Sequence, residues 1–123
     1  MSPGPLVCVV DDDESVRESL PVLLGSFGWS VQAFASAERF LASDCVQRVS
    51  CLILDVAMPG MSGPDLEREL MLRKTEIPIV FITAHSDEDG RDRILQNGAV
   101  DCLLKPFSEQ ALLSAVRSAL GIG

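Results

Sequence analysis

Four groups of residues equipped for chemistry lie at the ends of alternate apolar runs. Asp11, Asp12 and Asp13 follow LVCVV, Asp55 follows CLIL, Thr83 follows IPIVFI, and Lys105-Pro106 follow AVDCLL. Strands that end in these groups would bring them together at one edge of a parallel sheet. Asp11, Asp12 and Asp55 would then set two or three carboxylates close together, where like charges repel in a partly dry site and need a cation. All-oxygen ligands with room for water suit Mg²⁺ or Mn²⁺. A carboxylate beside a bound cation can attack an activated phosphorus and form an acyl phosphate. The Lys105 ammonium and the Thr83 hydroxyl suit the phosphoryl oxygens that gather charge in such a transfer.

Plainer roles compete for some of these residues. Asp13, with Glu14 behind it, reads as the cap of the first helix. Capping does not account for Asp12 and Asp55, which end two separate strands. Lys105 follows an apolar strand and precedes a proline, which holds its amine at the mouth of the site. The Lys105-Pro106 bond is a candidate cis peptide. Thr83 has the alternative of bonding to backbone. His85, the one imidazole, sits two residues beyond Thr83 as a rim residue or a merely exposed one. It has no partner to orient it as a catalyst.

The elements that must position these groups follow from hydrophobic periodicity, because runs rich in β-branched residues alternate with helical spacing. Leu6 to Val10 is a fully apolar first strand, as expected for one covered on both faces. Val16, Leu20, Leu23, Leu24 and Phe27 share one helical face, which Gly28 terminates. Val31 to Phe34 is a weaker second strand suited to an edge, and Ser36 caps a short helix carrying Phe40 and Leu41. After a loop from Ser43 to Val49, Cys51 to Leu54 is the third strand. Ser62 with Asp65 resembles a capping box for a helix from Asp65 to Arg73. Ile77 to Ile82 is the fourth strand, Ser86 with Asp89 repeats the capping pattern, and Asn97-Gly98 ends the fourth helix. Val100 to Leu104 is the fifth strand. Leu112, Ala115, Val116, Ala119 and Leu120 form the inner stripe of the last helix. Five βα units with right-handed crossovers imply an α/β fold. It is a doubly wound five-stranded parallel sheet of flavodoxin-like (βα)5 type, strand order 2-1-3-4-5. In such a sheet ligands bind beyond the carboxyl ends of the strands, where Asp12, Asp55, Thr83 and Lys105 fall.

Bulk properties narrow the function classes. The 123 residues are read as a single domain with a real core over about 5–120. Hydrophobic content of 47% and a mean hydropathy of +0.27 argue for a folded, well-buried protein. A net charge of −8 and a pI near 4.4 weigh against nucleic-acid binding by this segment. No apolar run approaches the ~20 residues of a membrane span, and MSPGP lacks the regions of a signal peptide. A cytoplasmic location is therefore expected. Cys8, Cys45, Cys51 and Cys102 form no CxxC pair, which disfavours zinc. Cys8, Cys51 and Cys102 read as small buried hydrophobes, whereas Cys45, in a polar stretch, is open to exposure. Gly121-Ile122-Gly123 reads as a boundary, with an output domain beyond 123 left open.

The motifs VVDDDESVRESL, CLILDVAMPGMSG, IVFITAH and GAVDCLLKPF, in this order and spacing, resemble the receiver domain of two-component response regulators across essentially the whole chain. SAERFL, MPGMSGPDL and GAVD with KPF look most like its FixJ branch, whose members often join a receiver to a helix-turn-helix DNA-binding domain. The resemblance implies that Asp55 accepts a phosphoryl group from the phosphohistidine of a sensor histidine kinase. It implies that Asp11 and Asp12 position Mg²⁺, with Asp55 and the Ala57 carbonyl completing the protein ligands, and that Thr83 and Lys105 bind phosphoryl oxygens. It further implies that phosphorylation draws the threonine inward and favours a homodimer or partner binding through the fourth helix, fifth strand and fifth helix. This is a population shift driven by a covalent charge.

Two positions depart from the family pattern. Cys102 stands where the family usually has Tyr or Phe, so coupling of a ring to the hydroxyl is in question. Pro21 lies inside the first helix and removes the amide that would bond to Arg17, which should kink the helix. Three other readings are weaker. A haloacid-dehalogenase-type phosphatase would use Asp11 as nucleophile and Asp13 as acid, but needs a further acidic motif on a later strand. A flavodoxin-like cofactor binder would need a phosphate loop where four acids stand in a row. A degenerate receiver acting only as a protein-interaction module is kept open by Cys102.

Overall fold

The structure, a computed structural model, describes residues 4–84 and 88–122. Strands and helices alternate: β1 (Leu6–Val10), α1 (Glu14–Gly25), β2 (Ser30–Phe34), α2 (Ala37–Leu41), β3 (Cys51–Asp55), α3 (Gly63–Leu72), β4 (Ile79–Thr83), α4 (Glu88–Gln96), β5 (Asp101–Leu104) and α5 (Glu109–Leu120). All pairings are parallel and the strand order is β2-β1-β3-β4-β5, as the βα periodicity predicts. None of the described helices is long and apolar enough to cross a membrane.

Alternating residues of the central strands feed two separate cores. Cys8, Val10, Leu52, Leu54 and Phe81 pack with Phe40 of α2 and Leu66 and Leu70 of α3 on one face. Val7, Val9, Ile53, Val80 and Ile82 pack with Leu20 and Leu24 of α1 and Leu112 and Val116 of α5 on the other. Two covered faces explain why β1 and β3 are buried at every position and carry no polar residue until their carboxyl ends. β2, at the sheet edge, is half-buried.

Caps set where the helices begin. The Asp13 side chain accepts the Ser15 amide at the start of α1, so its capping role is borne out. Ser62 and Asp65 form the reciprocal capping box of α3, which begins two residues earlier than the expected Asp65. His85 and the side chains of Ser86 and Asp89 lie outside the described residues.

Several expectations need correction. α1 ends at Gly25, where the Ser26 hydroxyl donates to the Leu23 carbonyl. Phe27 therefore leaves the helical face, lies 41% exposed, and sets its ring 5.7 Å from that of Trp29. The positive φ of Gly28 (85°) turns the chain toward β2 rather than ending the helix itself. β4 starts at Ile79, because Pro78 has no amide for the ladder, and extends to include Thr83. The stretch from Ser43 to Val49 is not all loop: it contains a 3₁₀ turn, Asp44–Gln47, that folds Cys45 inward to 4% exposure.

Candidate functional site

The carboxyl ends of β1, β3 and β5 converge. Carboxylate oxygens of Asp11, Asp12 and Asp55 all lie within 4.8 Å of one another. Lys105 Nζ stands 2.9 Å from Asp11 Oδ2 and 3.9 Å from Asp55 Oδ1. The Lys105-Pro106 peptide is cis, as the sequence suggested. Thr83 adjoins the cluster through the backbone, its carbonyl accepting the Lys105 amide at 2.7 Å. Ala57 is exposed in the turn that follows Asp55.

Burial separates the three acids. Asp11 is fully enclosed, Asp55 is 5% exposed, and Asp12 faces solvent. Asp11 is held from three sides: its Oδ1 accepts the Asp13 amide at 2.9 Å, its Oδ2 accepts from Lys105, and its amide donates to the Phe34 carbonyl. Asp55 has a poorer supply of positive charge. Burial, then the Asp11 and Asp12 charges, push its carboxyl up to about 7 against the opposing pull of Lys105. Lys105 is itself raised: burial acts against its charge, but the hydrogen bond to Asp11 and the Asp55, Asp11 and Asp13 charges outweigh it. The Ser15 hydroxyl and amide hold Asp13 below the usual carboxylate range.

One ammonium among three carboxylates leaves excess negative charge in an oxygen-only donor set. Those donors, with one member solvent-facing, fit a hard divalent cation that keeps some of its water.

Three supporting residues escaped the sequence reading. Arg17 Nη1 donates to the Asp11 carbonyl at 3.0 Å, bracing the turn between β1 and α1. Glu38 of α2 accepts the Met61 amide at 3.4 Å, reaching across to the turn after Asp55. Gly63 packs so closely that a Cβ there would collide with the Asp55 carbonyl oxygen. Only Gly63 carried a signal, as a glycine at a helix start. The other two contacts span 6 and 23 positions and follow no local rule.

Five parallel strands in the order 2-1-3-4-5 with their helices make a flavodoxin-like α/β fold, here with an acid cluster and a lysine at its carboxyl edge. The chain belongs to the response regulator receiver domain family, whose model matches residues 7–117. Nodulation protein W of Bradyrhizobium diazoefficiens is 48% identical over 114 residues, 93% of this chain and 50% of that protein. The transcriptional regulatory protein FixJ of Azorhizobium caulinodans is 41% identical over 115 residues, 94% of this chain and 54% of that one. The structure of the response regulator StyR superposes with a TM-score of 0.89 at 48% identity, covering 96% of this chain and 60% of StyR. The FixJ-like resemblance is thereby borne out. The chain spans about half the length of the curated relatives it matches. Membership in this family implies a cognate sensor kinase.

Proposed function

We propose that Asp55 is the phosphoacceptor and that a sensor histidine kinase is the donor. An Asp55 carboxylate oxygen forms the bond to phosphorus as the bond to the kinase's histidine nitrogen breaks. Lys105, drawn between Asp11 and Asp55, meets the transferred oxygens, and the Thr83 hydroxyl donates to another of them. Asp11, Asp12, Asp55 and the Ala57 carbonyl would hold Mg²⁺, with Mn²⁺ as a substitute. When bound, the cation neutralises charge shared between the carboxylates and the phosphoryl oxygens. The group is later lost to water, so the domain is a signalling module that modifies itself rather than a turnover enzyme.

In this reading phosphorylation shifts the face of α4, β5 and α5 toward homodimerisation or partner binding. The whole protein regulates transcription through an attached DNA-binding domain in the cytoplasm, and this acidic domain does not itself touch nucleic acid. The observation that carries the proposal is the convergence of three carboxylates with a lysine paired to two of them.

The test is intact mass after acetyl phosphate with Mg²⁺. One added phosphoryl group is expected, lost in Asp55→Asn and with chelator. Phosphorylation that survives Asp55→Asn would refute the assignment. A second reading, an interaction module without a working switch, rests on Cys102. It is 3% exposed at the position where the resemblance implies a ring. Sizing chromatography of the phosphorylated protein separates the two: a shift in assembly favours the working switch, and no shift favours the second reading.

A further inference from the structure

The loop between β3 and α3 carries the Ala57 carbonyl, and a side chain from outside the loop touches its crown. Backbone fixes the two ends: the Val56 amide donates to the Ile82 carbonyl and the Gly63 amide to the Val56 carbonyl, each at 3.0 Å. Met58 anchors the middle in the core that also holds Phe40 of α2. The crown at Pro59 and Gly60 is exposed. Gly60 has a positive φ of 75° and no side chain to pack, so the shape of the crown depends on what lies against it. Glu38 of α2 supplies that contact. Its Oε2 accepts the Met61 amide at 3.4 Å, and a Cβ added to Gly60 would stand 2.7 Å from the same oxygen. The helix that carries Glu38 is itself held in place: the Ser36 hydroxyl accepts the Arg39 amide at 3.1 Å, and Ala37 and Phe40 are fully buried.

We propose that Glu38 is a positioning residue for the cation: from α2 it seats the Gly60–Met61 crown and so keeps the Ala57 carbonyl in place as a Mg²⁺ ligand. The inference rests on the Mg²⁺ reading of the site proposed above. Mg²⁺ accepts little departure from octahedral geometry, so a carbonyl on a loosened loop is a poorer ligand than one held still. Contacts that hold a ligand without touching the metal govern affinity for this reason. Asp11 and Asp55 are held by burial and by Lys105, whereas Ala57 sits in an exposed turn and relies on the loop around it. Charge alone would also make a nearby carboxylate favour a cation, and glutamine separates the two effects. Its side-chain oxygen still accepts the Met61 amide, but the negative charge is gone.

The test titrates Mg²⁺ alone into the whole, unphosphorylated 123-residue chain, isotope-labelled so that amide NMR shifts give the dissociation constant. Asp12→Asn serves as the reference that loses the site. Glu38→Ala should weaken Mg²⁺ binding about tenfold, the lower end of what such outer contacts carry, and Glu38→Gln should stay within about twofold of the native chain. Hydrogen exchange at the Met61 amide, without metal, should speed up in Glu38→Ala and not in Glu38→Gln. Glu38 is exposed, so both variants should keep the native urea midpoint in chelator. Unchanged affinity in Glu38→Ala, with binding still lost in Asp12→Asn, would overturn the inference and leave the cation reading standing. Equal weakening by alanine and glutamine would overturn it in favour of charge. A native chain that takes up no Mg²⁺ would overturn the cation reading, and the inference with it.

Discussion

Ionising Asp55 in the metal-free protein should cost stability, and the structure sets the size of that cost. Its carboxyl is pushed from 3.8 to about 7 by burial and by the neighbouring Asp11 and Asp12 charges. A folded value above the unfolded one means that the unfolded chain gives up the proton first. The stability conferred by the protonated form is therefore complete below pH 3.8 and is lost as pH rises through 7. Most of that loss falls between pH 5 and 8, roughly two pH units of differential ionisation, or about 3 kcal/mol at ~1.4 kcal/mol per unit. Asp13 and Asp65 are lowered and act in the opposite sense below pH 3.8, outside this window. Lys105 is raised above 10.5, also outside it. The assay is urea unfolding at pH 5 and pH 8 in chelator, comparing the native chain with Asp55→Asn. The native protein should lose about 3 kcal/mol more than the variant over this range, and Mg²⁺ should abolish most of the difference. Equal pH slopes in the two proteins would show that Asp55 is not the strained acid and would refute the reasoning.

Other perturbations test the supports of the site. Lys105→Met removes the 2.9 Å partner of the fully enclosed Asp11; in urea at pH 7 it should cost about 3 kcal/mol, and phosphoryl uptake by intact mass should fall sharply. Gly63→Ala drives a methyl into the Asp55 carbonyl, so it should destabilise by about 1–3 kcal/mol and slow phosphorylation of the fraction that remains folded. Arg91→Ala breaks a bond to the Cys102 carbonyl at 3.0 Å and an exposed pair with Asp101 at 3.5 Å. It should change global stability by less than about 1 kcal/mol, yet speed amide exchange in α4, which those contacts fasten to β5.

Much of the architecture was legible because it depends on local rules. LVCVV and CLIL announce strands covered on both faces, and the Ser62–Asp65 spacing announces a capped helix. Phe27 misled because an apolar residue at helical spacing does not reveal that Ser26 has already ended the helix. Cys45 misled for a related reason: it sits among polar neighbours in sequence, yet the 3₁₀ turn carries it inward to 4% exposure, with Arg48 Nη2 lying 3.6 Å from its sulfur.

What the amino-acid order settled by itself was the register of chemistry on scaffold. A side chain at a strand's carboxyl end must emerge at the sheet edge, so Asp11, Asp12, Asp55 and Lys105 were bound to meet once the strands were parallel. Only the folded chain decided how unequal those groups would be. Full enclosure ties Asp11 to Lys105, while burial and the neighbouring carboxylates push the Asp55 carboxyl up to about 7. The difference arises from desolvation and from distances across 94 positions between Asp11 and Lys105, and neither quantity exists until distant segments have packed together.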